Sequence, residues 1–276
     1  MLASTRVKFA SQTYSWQMSG KWFGKLEEIV ESVRTSGFQG IEPEVCMTSG
    51  FESPQQLENL LIGNNVELAA LTLVLDWQHS LETPEEKLEA DRVIKVLKNF
   101  PGTKLVLVQM PSRLWIDRNV AQDNLLKCLS AIVRRASEFN ITVTYHPNSP
   151  AESIVRTSED YEKILTQLPP NLGWTPDTGH LFVGGMNPVE MIRNYRELVN
   201  HIHLKDADLS GSWVPNGKGC IDLVGSIAEL AKTDYAGWVV LEDESPEAEV
   251  DPMDAARANG KYFRENLSPL FSEVSK

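Results

Sequence analysis

Cysteine is scarce in this chain: Cys46, Cys128 and Cys220 are odd in number, widely spaced and never arranged as CxxC. A disulfide framework is therefore excluded, and the three read as the reduced thiols of a cytoplasmic protein. Positive charge is also short, with 26 Lys and Arg against 38 Asp and Glu, a net charge of -12 and a pI near 5.0. Such a balance argues against a nucleic-acid partner or an anionic membrane surface, which would need a basic patch. An anionic substrate held by a few local cations stays compatible. No apolar run approaches the roughly 20 residues of a membrane span, and the opening MLASTRVKFASQTYSW lacks a signal peptide's apolar stretch. No GxGxxG or P-loop follows any apolar run, so nothing marks an open dinucleotide-binding or NTP-binding sheet.

What is present is one repeating pattern. Short apolar, β-branched runs occur at residues 7–15, 40–45, 68–75, 104–110, 141–147, 172–179, 201–206 and 237–244. Polar turns and amphipathic segments separate them, such as PEEKLEADRVIKVLKNF, with charges on one side and Leu88, Val93, Ile94, Val96 and Leu97 near the other. Helix-to-strand junctions carry Gly37, Gly102, Asn140 and Gly237. Strands alternating with helices imply parallel βαβ units, and about eight such units close a barrel. No linker divides them. The reading is one (β/α)8 TIM-barrel domain of the α/β class over residues 1–276, with a weak point at Pro176, which cannot donate to a ladder.

In such a barrel the chemistry gathers at the C-terminal ends of the strands. Those ends carry Glu42 and Glu44, Gln109, His146 and Asn148, Asp177 and His180, His203 and Lys205, and Glu242 and Glu244. In HIHLKD, strand alternation puts His201, His203 and Lys205 on one face, with Ile202 and Leu204 behind. By the same rule His146, Asp177, His203 and Glu242 point inward from adjacent strands. Two imidazoles and two carboxylates suit a divalent Mn, Co, Fe or Zn ion better than Mg. Lys205 lies one step above the ligand plane as a substrate contact. Plainer readings exist for several residues. His201, at the bottom of its strand, reads as a hydrogen-bonded core residue, and Lys205 with Asp206 is also compatible with a solvated loop pair. Asp243 and Glu244 read as rim charges, and His79 as a surface-loop residue. Trp16, Trp115 and Trp213 either line a pocket or cap the core.

The segments DTGH (177–180), HIHLKD (201–206), GKGCIDL (217–223), GWVVLEDE (237–244) and DPMDAARANGKYFREN, in this order and spacing, resemble the xylose-isomerase-like barrel superfamily. That superfamily takes in sugar isomerases and epimerases, inosose dehydratases and type II apurinic endonucleases. The resemblance implies metal ligands at His146, Asp177, His203 and Glu242. It departs at His146, where the epimerases carry Glu; YHPN is similar to the YHPH of inosose dehydratases, with Asn148 in place of the second His. With His146 on the metal, one of two epimerase bases is missing, which tilts the expectation toward elimination. Five histidines and an acidic surface disfavour the trinuclear zinc site and DNA substrate of the endonucleases. The expectation is a metal-dependent enzyme acting on a keto-sugar, keto-glycoside or inosose, a homo-oligomer being compatible with the sequence. Glu242 would manage the proton and His180 and Lys205 assist, while Glu44, Gln109 and Asn148 would contact the polyol. An isomerase or epimerase, or a non-catalytic sugar-binding barrel, are the alternatives.

Overall fold

A computed structural model describes residues 7–49, 53–111 and 117–272. Each of the eight apolar runs contains a strand: β1 Val7–Gln12, β2 Gly40–Glu42, β3 Ala70–Leu75, β4 Lys104–Gln109, β5 Val143–His146, β6 Leu172–Trp174, β7 Ile202–Leu204 and β8 Gly237–Leu241. Between them run α1 Leu26–Thr35, α2 Pro54–Asn64, α3 Pro84–Leu97, α4 Arg118–Ser137, α5 Ser158–Thr166, α6 Pro188–Asn194 and α7 Leu223–Ala231; α8 Pro252–Tyr262 follows β8. All pairings among the barrel strands are parallel. They form two arcs, β2–β1–β8–β7 and β3–β4–β5–β6. Isolated bridges join the arcs into a ring, Glu44 to Thr72 on one seam, and Trp174 to Val199 and Asp177 to His203 on the other. Both seams therefore run through residues at the polar end of the barrel. No helix among the described residues is long and apolar enough to cross a membrane.

Apolar residues of the helices and of the outward-facing strand positions form the main core, including Ile29, Val33, Val93, Leu105, Leu107, Leu125, Ile132, Ile202 and Leu204. Inside the ring, Ala10, Trp238 and Val240 form a second small cluster with Ala69. Above it the interior turns polar: Thr144 and Thr175 hydroxyls meet at 2.7 Å, and the Thr72 hydroxyl donates to Glu42 at 2.7 Å. Helix starts are marked by side-chain caps. At α3, Thr83 Oγ1 accepts from the Glu86 N–H at 3.2 Å while Glu86 accepts from the Thr83 N–H at 2.7 Å. Losing that cap costs about 1 kcal/mol. Thr83→Ala is accordingly expected to lower the urea-unfolding free energy by about that amount and leave the site intact; an unchanged unfolding curve would contradict the capping role.

Two parts of the sequence reading need correction. The sixth run is a strand only to Trp174, because Asp177 starts a short helix, Thr178–Val183, and its Oδ1 accepts from the His180 N–H at 2.8 Å. Pro176 still serves the ring through its carbonyl, which accepts from the His203 N–H at 2.9 Å. The second correction is a hairpin that the pattern did not announce: Trp213–Val214 pairs antiparallel with Asp206–Ala207 beyond the end of β7.

Candidate active site

His146 ends β5, Asp177 caps the helix after β6, His203 lies within β7, and Glu242 directly follows β8. All four are buried, and one donor atom from each lies within 4.8 Å of the other three. Two observations fit a cation at this point. Both ring nitrogens of His146 and Oδ2 of Asp177 are buried without a hydrogen-bond partner, an expensive state for polar atoms unless something binds them. The donor set itself, two imidazoles with two carboxylates, is one that divalent transition ions accept. His203 is held on both sides: Nδ1 faces Glu242 Oε2 at 2.9 Å, and Nε2 faces Glu42 Oε1 at 2.8 Å.

Lys205 and Asp206 are not a solvated pair; each is 1% exposed. The Lys205 ammonium lies 3.2 Å from Glu242 Oε1 and 3.6 Å from Asp177 Oδ2, and also pairs with Glu244. It approaches His180 Nε2 at 3.3 Å, and His180 Nδ1 meets the Ser149 hydroxyl at 2.8 Å. Trp213, on the hairpin, covers both: its ring centre is 5.1 Å from Lys205 Nζ and 5.5 Å from the His180 ring. The glycine of DTGH makes this possible, since a Cβ at Gly179 would come 2.7 Å from the Trp213 ring and 2.9 Å from Lys205 Cβ. Asp206 organises the adjoining GKGCIDL segment instead of meeting substrate. Its carboxylate accepts the backbone N–H groups of Gly217 (3.0 Å), Gly219 (2.9 Å) and Ile221 (3.2 Å).

The remaining candidates divide. Glu44 accepts from Gln17 at 2.9 Å and, with Thr72 and Arg92, lines a cavity of about 500 Å³ at the β2–β3 seam. Gln109 and Asn148 are tied into the rim: the Gln109 amide donates to the Asp76 carbonyl at 3.0 Å, and Asn148 donates to the Gln109 carbonyl at 2.7 Å. Trp16 is a core residue at 1% exposure, His79 is exposed, and Trp115 lies outside the described residues. His201 is buried and hydrogen-bonded, as its plainer reading had it. Glu42 and Tyr14 were given no role by the sequence, and Asp243 and Glu244 are not rim charges: Asp243 is buried and Glu244 pairs with the buried Lys205. Strand alternation already placed Glu42 on the inward face beside Glu44. Tyr14 had no sequence signal; burial, with Glu244, Glu44 and Glu242 nearby, raises its hydroxyl to about 12.

Charge states of the metal-free pocket follow from these contacts. Burial opposes ionisation of Glu42, but His203 and His201 outweigh it and hold the carboxyl well below its usual range. Glu242 is likewise lowered, burial being outweighed by Lys205 and His203. Lys205 stays cationic: burial is outweighed by Asp177, Glu242 and Glu244, and its pKa rises. Burial, reinforced by Lys205, lowers His180 to about 3, and burial lowers His201 to about 4, so both are neutral. Burial raises Glu44 and Glu244 each to about 7. His203 is raised to about 10, because Glu42 and Glu242 outweigh burial. A group with a raised folded pKa contributes stability that is complete below its unfolded value and lost as pH rises through the folded one. Between pH ~6.5 and about 10 the metal-free protein should therefore lose up to about 1.4 kcal/mol per pH unit. The urea midpoint of chelator-treated protein should fall over that range, and the His203→Gln variant should show a shallower slope. Equal slopes would contradict the assignment.

A parallel (β/α)8 ring with carboxylate, imidazole and ammonium side chains gathered at its C-terminal ends has the arrangement of the barrel enzymes. Within that class the chain belongs to the xylose isomerase-like TIM barrel family, whose model matches residues 30–266. An inosose dehydratase of Geobacillus kaustophilus (strain HTA426) is 30% identical across a match covering 51% of this chain and 51% of that protein, so this match spans about half of its length. An inosose dehydratase of Clostridium botulinum (strain Eklund 17B / Type B) is 24% identical over 88% of this chain and 90% of the other. Among solved structures, the IolI protein with a bound zinc atom superposes with a TM-score of 0.79 at 17% identity, covering 96% of this chain and 99% of that one. L-ribulose 3-epimerase superposes with a TM-score of 0.77 at 15% identity, covering 98% of each chain. At these identities the superpositions establish the fold.

Proposed function

We propose that this chain is a metal-dependent lyase that removes an α-proton from an inosose or related keto-sugar and eliminates a β-hydroxyl as water. The observation that carries the proposal is the four-donor cluster, whose His146 nitrogens and Asp177 Oδ2 have no hydrogen-bond partner among the described residues. The relatives named inosose dehydratase support the substrate class. His146, Asp177, His203 and Glu242 would hold the ion. A divalent ion bound there supplies Lewis acidity toward a carbonyl oxygen.

The chain's own residues do the rest. Glu242, kept ionised by Lys205 and His203, takes the α-proton. The C–H electron pair becomes the enolate, and the buried Lys205 ammonium offsets its charge in a site where few waters compete. As the enolate expels the β-hydroxyl, the proton on Glu242 transfers to it, so water leaves and an unsaturated ketone remains. Neutral His180, anchored at Nδ1 by Ser149, exchanges its long Nε2 contact with Lys205 for a substrate hydroxyl, while Glu44 faces the polyol from the segment after β2. Gln109 and Asn148 shape the rim from β4 and β5.

A second reading, proton return to give an isomer, is favoured by one feature. Glu244 and Glu44 add two carboxyls with pKa about 7 beside Glu242, so the base count from sequence alone was too low. The test is a screen of inososes, 3-keto-glycosides and ketohexoses with chelated and metal-reloaded protein. Turnover of inososes only in the reloaded sample is the expected result. Metal-independent turnover, or turnover of ketohexoses alone, would overturn the proposal.

A further inference from the structure

The fully buried carboxylate of Glu42 makes contacts that the proposed reaction does not use. It accepts from His201 Nε2 at 2.6 Å, from His203 Nε2 at 2.8 Å and from the Thr72 hydroxyl at 2.7 Å. An ionised carboxylate only accepts, so both imidazoles must carry hydrogen on Nε2. In neutral His203 the lone pair is then on Nδ1, the nitrogen that faces Glu242 and the rest of the four-donor cluster. Without Glu42 two other states open to His203. The proton can move to Nδ1 and cover the lone pair, or the ring can turn and present carbon to the cluster.

His201 completes the arrangement from below. It is 0% exposed, its Nδ1 has no partner, and its single hydrogen bond goes to Glu42. We propose that Glu42 is the positioning residue of the centre, fixing the tautomer and rotation of His203 so that Nδ1 is its ligand face, with His201 bracing Glu42. This rests on the metal centre proposed above. Partners of this kind behind a ligand imidazole orient it and raise its basicity, and their loss lowers metal affinity about 10- to 100-fold.

The experiment uses Zn2+ as probe, with affinity measured by competition against a chromophoric chelator and the histidine ring nitrogens read by 15N NMR. In the natural chain His203 should be protonated at Nε2 and show its zinc-induced shift at Nδ1. Glu42→Gln keeps one oxygen acceptor and nearly the same volume, so it is the variant to fold. It should bind Zn2+ at least about tenfold more weakly and show, with zinc bound, a population of His203 whose zinc-induced shift is absent from Nδ1 or lies at Nε2. Glu42→Leu, where it folds, should show a larger loss. Unchanged affinity in Glu42→Gln would overturn the proposal. So would weakened binding with the His203 tautomer and zinc-bound shift unaltered, the signature of a residue that only supports packing. His203→Ala separates the two levels. If that variant binds Zn2+ as the natural chain does, the centre and this inference fall together. If it loses zinc while Glu42→Gln does not, only the positioning role fails.

Discussion

His203→Ala and Asp177→Asn are each expected to lose stoichiometric metal and to lower turnover at least about a thousandfold, equivalent to ~4 kcal/mol of barrier. The size follows from what the ion does. A bound ion would supply several kcal/mol of stabilisation to the charge developing on a substrate oxygen, and no side chain of this pocket substitutes for a dication. Both variants should still fold, because the main core lies between the strands and the helices and does not include the four donors. Metal analysis after gel filtration, with circular dichroism as the control, reads the result. His146→Ala is the most informative companion. Its ring nitrogens have no hydrogen-bond partner among the described residues, the Asp177 carboxylate lying 3.6 Å from Nε2, so loss of metal assigns it as a ligand, and retention with lost turnover makes it a substrate contact. Unchanged metal content in His203→Ala and Asp177→Asn together would refute the centre.

Lys205→Met should damage both the fold and the reaction. Read from sequence, Lys205 was a substrate contact or half of a solvated loop pair. Its ammonium is instead buried among Asp177, Glu242 and Glu244. Removing one partner of a buried ion pair typically costs about 3–5 kcal/mol, because the remaining charge is left uncompensated. A metal ion drawing on Asp177 and Glu242 relieves part of that repulsion. The urea midpoint should therefore drop strongly in chelated protein and less after metal reloading, while turnover in the reloaded variant falls at least about tenfold. A midpoint equal to that of the natural chain in both states would show that Lys205 does not neutralise the cluster.

The barrel was legible because strand and helix periodicities differ and both are strong here. KLVLVQM and GWVVLEDE announce their strands, and Glu242 and Glu244, on the inward face at the end of the second, mark the mouth. Convergence of His146, His203 and Glu242 followed from alternation, since a period of two fixes the face; Asp177 joins them from beyond the end of β6, as the cap of the helix that follows. Contacts between distant strands were not legible. Nothing near Glu42 in sequence says that it meets His201 and His203, because the closure of the ring brings β2 opposite β7. Lys205 and Asp206 looked like loop charges for the same reason: their burial comes from Trp213, whose hairpin lies beyond a turn, and from the backbone of residues 217–221. The early end of β6 was foreshadowed by Pro176, yet the helix that Asp177 starts needed its carboxylate to turn inward and cap.

The most direct test of the account is the mass of the product formed from an inosose in deuterium oxide by the metal-loaded protein. Elimination predicts a product lighter than the substrate by one water, formed in step with substrate loss and absent when the metal is removed. A product of unchanged formula, carrying solvent deuterium at the α-carbon and no dehydrated species, would contradict the lyase reading and make the enolate's fate reprotonation.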